Sequence, residues 1–289
     1  MIRQQTGEKI YKYIIFSVLL IVLTVFSVTK EARSAGVDLP QSFFLEHPYS
    51  ITGVKISTEI IDLDIEDALY MNEIRADVNI HDNKASLYTR IPIAGITDVD
   101  PTNEDDIALG NIVIGGKSTI FQGNTAVLTG GVEGFLPTVD NDLAAMGART
   151  YFREYASFVD DAFTIRPYAV FGVGKDIFAF QANLGADIIT GAEEIEGDDT
   201  EVIWRYGGTA SVTPHMPVPF ATSFLVEVLL ASASSFEDSR TEAFITPGFR
   251  FGGQIFSVGA GVEIPVGEES DEFADDVGIL LDLLIRFGS

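Results

Sequence analysis

Apolar and polar residues alternate strictly in many segments of this chain, most clearly in residues 68–80. There Ile74 and Ala76 alternate with Glu73 and Arg75. Because successive side chains of a β-strand point to opposite faces, this pattern predicts a strand with two different surroundings. Twelve such segments follow one another, at residues 50–61, 68–80, 85–93, 107–119, 125–136, 163–172, 177–189, 201–212, 221–231, 242–251, 254–266 and 277–287.

The connections between these segments alternate in length. Short ones, such as residues 81–84 and 121–124, alternate with long ones, such as 94–106 and 137–162. An even number of antiparallel strands with short turns at one end and long loops at the other is typical of outer-membrane barrels. We therefore predict an all-β fold in which residues 50–289 form a closed, up-and-down, antiparallel transmembrane β-barrel of about 12 strands. Both termini would be periplasmic.

A soluble sandwich of two sheets is the alternative fold, since the chain is long enough to build one. The distribution of charge favours the membrane barrel. The apolar face of most strands is nearly free of charge, as lipid requires, because a lipid-facing Arg or Lys costs roughly 2–4 kcal/mol at the bilayer midplane. The polar face carries one or two charges per strand, with both signs interspersed, which suits a confined lumen.

We expect these polar-face charges to line the lumen, and two interpretations of them remain open. They could form a selectivity lining, as charged rings do in channels, or pair into a plug that only satisfies a polar interior. Twelve strands lie between filled eight-stranded barrels and open sixteen-stranded porins, so the number of strands does not distinguish a selectivity lining from a plug. The predicted lumen-lining residues are Glu73, Arg75, Asp77, Arg90, Glu133, Arg166, Asp187, Arg205, Glu227, Arg250, Glu263, Asp282 and Arg286.

The N-terminus predicts export from the cytoplasm. Basic residues such as Lys9 and Lys12 precede an uninterrupted apolar run at residues 14–28, and small residues follow it. This order is typical of a secretory signal peptide, whereas a membrane anchor, the competing interpretation, prefers a run of roughly 20 residues. We predict a signal peptide at residues 1–35 and a periplasmic lead-in at 36–49, with the barrel in the outer membrane of a Gram-negative bacterium.

The last segment ends in alternating apolar residues and Phe287, followed by Gly288 and Ser289. It resembles the C-terminal strand of bacterial outer-membrane proteins, in which an aromatic residue ends the last strand. The resemblance implies that the barrel-assembly machinery is a partner through this strand. Outer-membrane lipid and lipopolysaccharide would then surround the barrel.

The composition excludes some partners. A net charge of −25 argues against nucleic acid, and the absence of cysteine excludes disulfides and thiolate metal sites. Carboxylates cluster in the connections at 98–106, 193–199 and 268–276, where a solvated acidic rim and divalent-cation binding are the alternatives. None of these connections has the spacing of a dedicated calcium loop, so we predict no metal site and no cofactor.

Catalysis is not expected. His47 lies before the first strand, and His81 and His215 lie in short connections. That end is predicted to be periplasmic, whereas barrel enzymes generally place catalytic groups toward the outer leaflet, so no catalytic residue is assigned. Residues 141–158 could carry a helical turn or two.

Three short motifs carry a family resemblance: LYTRIPIAG (87–95), DDIALGNIVIGGK (105–117) and GFLPT (134–138). With them, residues 85–289 resemble outer-membrane channel-like proteins associated with the meta-pathway of phenol degradation. The resemblance implies a transport-like role for small, aromatic or hydrophobic compounds. We therefore expect a porin-like barrel that passes small molecules passively. A structural or surface-interaction barrel with a plugged lumen is the alternative, and an outer-membrane enzyme is the third hypothesis.

Overall fold

The computed structural model describes residues 39, 41–61, 69–81, 84–99, 104–139, 142–151, 153–191, 200–215, 221–233, 241–253, 255–266 and 277–287. The predicted signal peptide and most of the acidic connections lie outside these ranges. Within the described ranges, no helix is long and apolar enough to cross a membrane.

The described residues form thirteen strands and two short helices. In chain order they are β1 (Gly53–Ile61), β2 (Leu69–His81), β3 (Ala85–Val99), β4 (Glu104–Leu109), β5 (Ile112–Gln122), β6 (Ala126–Leu136), α1 (Leu143–Arg149), α2 (Tyr155–Phe158), β7 (Phe163–Lys175), β8 (Phe178–Thr190), β9 (Thr200–Val212), β10 (Ala221–Ala233), β11 (Thr241–Gly252), β12 (Phe256–Pro265) and β13 (Gly278–Arg286).

The sheet closes on itself. β1 pairs antiparallel with β2 and also with β13, from Gly53 opposite Arg286 to Ile60 opposite Ile279. β4 and β5 both pair with β3, so they form two halves of one wall strand. The predicted closed, antiparallel barrel of twelve strands is therefore confirmed. The periplasmic position of the termini stays a prediction.

The fourth wall strand is broken where the sequence pattern predicts one continuous strand at 107–119. Asn111, which stands at the break, donates its side-chain amide to the carbonyls of Ala156 and Val159 and accepts from the Thr138 amide. A Cβ at Gly110 would lie 2.5 Å from the Ser157 carbonyl oxygen. The wall therefore gives up strand geometry here to bind the connection that carries both helices.

The outer face of the barrel is apolar, and the inner face carries the charges together with two apolar clusters that pack against the inward loop. Val78 and Leu281 are 56% and 50% exposed, whereas Asp187 and Glu227 are completely buried. Along β10 the burial alternates with period two, as expected for a wall with one outer and one inner face. The alternation seen in the sequence therefore places apolar side chains toward lipid and charges toward the lumen.

A charge on the outer face should destabilise the barrel. Val226 lies near the middle of β10 and is 45% exposed. Val226→Arg should lower the free energy of unfolding by about 2–4 kcal/mol, measured by urea titration in liposomes, because the guanidinium must enter hydrocarbon. Val226→Leu is the control and should leave stability unchanged. Equal stability of the two variants would contradict a lipid-facing position.

Candidate functional site: the occupied lumen

Two inserts occupy the barrel interior. The first, called the N-terminal segment, consists of Leu39 and residues 41–50, and it contacts the wall from the short turns to the middle of the strands. The second, called the inward loop, consists of the described parts of residues 137–162, including α1 and α2, and it packs near the long connections. A cavity of about 150 Å³ lies between them.

Glu227 on β10 holds the N-terminal segment through its backbone. Its carboxylate accepts from the amides of Phe43, Phe44 and Leu45 at 2.8, 3.0 and 2.8 Å. Since Glu227 is completely buried, these three bonds replace the solvation that its carboxylate loses. Successive backbone amides bind free anions in the same way in other proteins. Here the anion is a side chain of the wall.

Wall cations bind the carbonyl groups of the same segment. Lys55 donates to the Phe43 carbonyl at 2.5 Å, and Arg250 donates from Nε to the Gln41 carbonyl at 2.8 Å. The backbone of the segment is thus bonded to side chains of the wall. Among residues 41–50, none belongs to a strand ladder.

Glu46 gives the segment its own charged contact. Its carboxylate accepts from both terminal nitrogens of Arg75 and, at 2.6 Å, from Nζ of Lys117. Burial alone would raise the pKa of Glu46, but Arg75 and Lys117 hold that pKa well below its usual range. Glu46 is therefore an ionised carboxylate shared between two cations.

Glycines on the inner face provide room for the apolar side chains of the segment. A Cβ at Gly261 would lie 3.0 Å from a ring carbon of Phe43, and a Cβ at Gly172 would lie 2.4 Å from Leu39. At these positions the inner face of the wall has no side chain, so the segment packs directly against the backbone of the strands. These strand glycines mark a close approach of the N-terminal segment to the backbone of the wall.

His47 is neutral in this position. Nδ1 accepts from the Tyr49 amide at 3.3 Å, so Nε2 carries the hydrogen and donates to the Leu39 carbonyl at 3.1 Å. Burial lowers the pKa of His47 to about 3, and the nearby Lys117 charge acts in the same direction.

Arg153 anchors the inward loop. Its guanidinium is fully buried and donates to both Glu59 on β1 and Glu263 on β12. It also lies 4.5 Å from the ring centroid of Phe44, where the two inserts meet. The Arg153 carbonyl in turn accepts from Arg205.

Charges of alternating sign run along one side of the wall. Arg90 bridges Glu73 at 2.9 Å and Glu133 at 2.6 Å, and Arg166 links Glu133 to Asp187. Arg205 then reaches Asp187 at 3.4 Å, which completes a belt from β2 to β9. On the other side, Asp282 accepts from Arg250 and lies 3.9 Å from Lys55.

All thirteen residues predicted to line the lumen lie on the inner face of their strands. Eleven of them belong to ion pairs, including Asp77, which accepts from Arg75. Glu227 instead accepts from backbone amides of the N-terminal segment. Arg286 lies apart, near a short turn, where it donates to the Gly253 carbonyl. Their role in selectivity stays a prediction.

Sequence reasoning missed the N-terminal segment, Lys55, Lys117 and Arg153. Lys55 and Lys117 obey the same alternation as the predicted lumen residues and could have been found from it. Arg153 lies in a connection, where no strand pattern applies.

Most of the acidic connections named in the sequence analysis lie outside the described residues. Within the described part of the chain, no His, Asp and Glu cluster has an arrangement fit to hold a metal ion.

No family model and no curated protein sequence matches this chain. Solved structures of outer-membrane proteins share its fold, and two examples follow. One is an outer-membrane channel from Pseudomonas putida F1, with a TM-score of 0.56 and 7% identity over 86% of this chain and 100% of that chain. The other is the NanC porin, with a TM-score of 0.54 and 7% identity over 81% and 99%. At this identity the likeness shows the fold of outer-membrane barrels, and the resemblance to the phenol-degradation family stays a prediction.

Substitution of Glu227 should loosen the N-terminal segment. Glu227→Gln removes the charge that three amides share, and a hydrogen bond to a charged group contributes roughly 1.5–3 kcal/mol. Amide hydrogen exchange at residues 43–45 should therefore become at least about tenfold faster. Asp187→Asn is the matched control, since Asp187 is equally buried but bonds wall arginines. Unchanged exchange in Glu227→Gln would show that the carboxylate does not hold the segment.

Acid should also loosen the segment, through His47. The pKa of His47 is about 3 in place and about 6.5 when free, so the released segment takes up a proton first as the pH falls below about 6.5. Going from about pH 7.5 to about pH 5 should favour release by up to about 30-fold, while Glu46 stays ionised. Exchange at residues 43–45, corrected for intrinsic rate, measures this. His47→Gln should lose the dependence, and an equal change in both proteins would assign it to other groups.

Proposed function

We propose that this chain is an outer-membrane channel that passes small solutes through its lumen, and that the N-terminal segment closes the lumen in the conformation described. The observation that supports the proposal most directly is the way the segment is held. Its bonds run to wall side chains such as Glu227, Lys55 and Arg75, and none of residues 41–50 joins a strand ladder.

The wall itself favours a channel over a solid core. In a filled barrel, inward side chains are satisfied by one another across the interior. Here Glu227 and Lys117 take their hydrogen-bond partners from the N-terminal segment. Withdrawal of the segment would leave a passage lined by charged and polar groups, continuous with the cavity of about 150 Å³.

A permanently closed structural barrel is the second candidate. The inward loop favours it, because Arg153 is fully buried between two carboxylates. Removing one partner of such a buried pair costs roughly 3–5 kcal/mol. In the channel proposal the inward loop therefore stays in place as a constriction, and the N-terminal segment is the part that moves.

We propose no enzymatic activity. His47 bonds backbone groups of its own segment, and His81 and His215 are exposed near the short turns. The finer expectations, passage of aromatic or hydrophobic compounds and insertion by the barrel-assembly machinery into a membrane with lipopolysaccharide, belong to this proposal as well. The rings of Tyr88 and Tyr168, joined at 2.7 Å through their hydroxyls, give the lumen an aromatic surface beside the charge belt.

Conductance tests the proposal. Full-length protein and a variant lacking residues 36–50 are reconstituted in planar bilayers, with heat-modifiable gel migration as the control for folding. We expect rare, small openings from the full-length protein and steps at least several-fold larger from the truncated one. Liposome swelling with small neutral solutes should follow the same order. A folded truncated barrel without channel events or swelling would contradict a channel, and equal conductance of both proteins would contradict closure by the segment.

A further inference from the structure

Two wall residues, Asp77 and Tyr88, orient Arg75. Its Nε and Nη2 donate to the two carboxylate oxygens of Asp77, both at 2.8 Å, and its guanidinium carbon lies 4.0 Å from the ring centroid of Tyr88. With one edge fixed by Asp77 and one face covered by Tyr88, the other edge points into the lumen. Such a rigid fork matches both oxygens of a carboxylate.

Lys117 completes the site from the neighbouring side of the wall. Its Nζ lies 2.6 Å from the same carboxylate oxygen of Glu46 that accepts from Nη2 of Arg75. Arg75 and Lys117 carry two positive charges, and Asp77 neutralises one. The wall residues therefore leave one positive charge, which the single negative charge of Glu46 balances.

Other described cations of the lumen are paired differently. Arg166 bonds Asp187 and Glu133, and Arg250 bonds Asp282, so their carboxylates are fixed on the wall. The carboxylate bound to Arg75 and Lys117 belongs instead to the N-terminal segment. Withdrawal of the segment thus empties a carboxylate site that is already assembled.

We propose that Arg75 and Lys117 form a binding site for the carboxylate of a small solute, which takes the place of Glu46 and thereby displaces the N-terminal segment. The inference rests on the proposed channel function for its biological meaning, since the solute must reach the lumen. The adjoining cavity of about 150 Å³ has the volume of cavities that hold a benzene ring. Glu46 would then be a built-in competitor of the solute.

Cysteine labelling measures displacement without requiring conduction. The chain contains no cysteine, and Ser42 is completely buried, with its hydroxyl 2.8 Å from that of Thr209. In the Ser42→Cys protein, a charged maleimide should react slowly in sodium chloride and about tenfold faster in sodium benzoate of equal ionic strength. Benzamide, which has the same ring without the charge, should have no effect. Equal rates in benzoate and chloride would overturn displacement.

Calorimetry measures the site itself. Benzoate should bind the Glu46→Gln protein about tenfold more tightly than the unaltered protein, because the competing carboxylate is gone. Adding Arg75→Gln to Glu46→Gln should abolish binding. Glu46→Ala is a second variant that removes the competing carboxylate and so vacates the site. Folding of each variant is checked by heat-modifiable migration. Absence of benzoate binding to both vacated variants would overturn the site.

The two proposals can fail separately. Benzoate binding to Glu46→Gln together with a folded, non-conducting truncated barrel would reject the channel and support the site. A conducting truncated barrel whose vacated variants bind no benzoate would support the channel and overturn the site.

Discussion

Charge placed inside a narrow barrel must be neutralised nearby, and the interior of this protein follows from that requirement. Lipid on the outer face requires charged side chains in the middle of the wall strands to point inward, where little water is available to solvate them. The alternating belt from Glu73 to Arg205 satisfies one side of the wall through its own residues. On the opposite side of the wall, the inward loop supplies the partner of Glu59 and Glu263. Beside the belt, the N-terminal segment supplies the partner of Arg75 and Lys117.

The inserts therefore act as counter-charges as well as obstacles. Arg153 pairs with both Glu59 and Glu263, which lie on strands β1 and β12 and face the same space. Glu46 balances the one positive charge that Asp77 leaves on Arg75 and Lys117, and the amides of residues 43–45 solvate Glu227. In the proposed channel, a solute that passes through the lumen must replace those interactions, so the groups that bind the N-terminal segment are also the groups that would select the solute.

The sequence predicts the wall well and its contents poorly, for a physical reason. Alternation is a local consequence of strand geometry, so residues such as Asp187 and Glu227 could be placed inside from their immediate neighbours. The break at Asn111 could not be predicted, because its partners Ala156 and Val159 lie 45 and 48 residues away. The N-terminal segment has no period at all, and its position depends on Glu227, 184 residues from Phe43. Contacts so distant leave no local pattern.

The two inserts differ in how the chain attaches them. The inward loop is continuous with β6 at one end and β7 at the other. Because both of its ends are attached to the wall, it can leave the lumen only as a folded loop. The N-terminal segment is continuous with the wall only where it leads into β1. If export removes the leader, the segment becomes a free end that can slide out along the barrel axis without breaking any pair of the β-ladder. Signal-peptide cleavage would then do more than release the protein from the inner membrane, since it would also create the free end that the proposed opening requires.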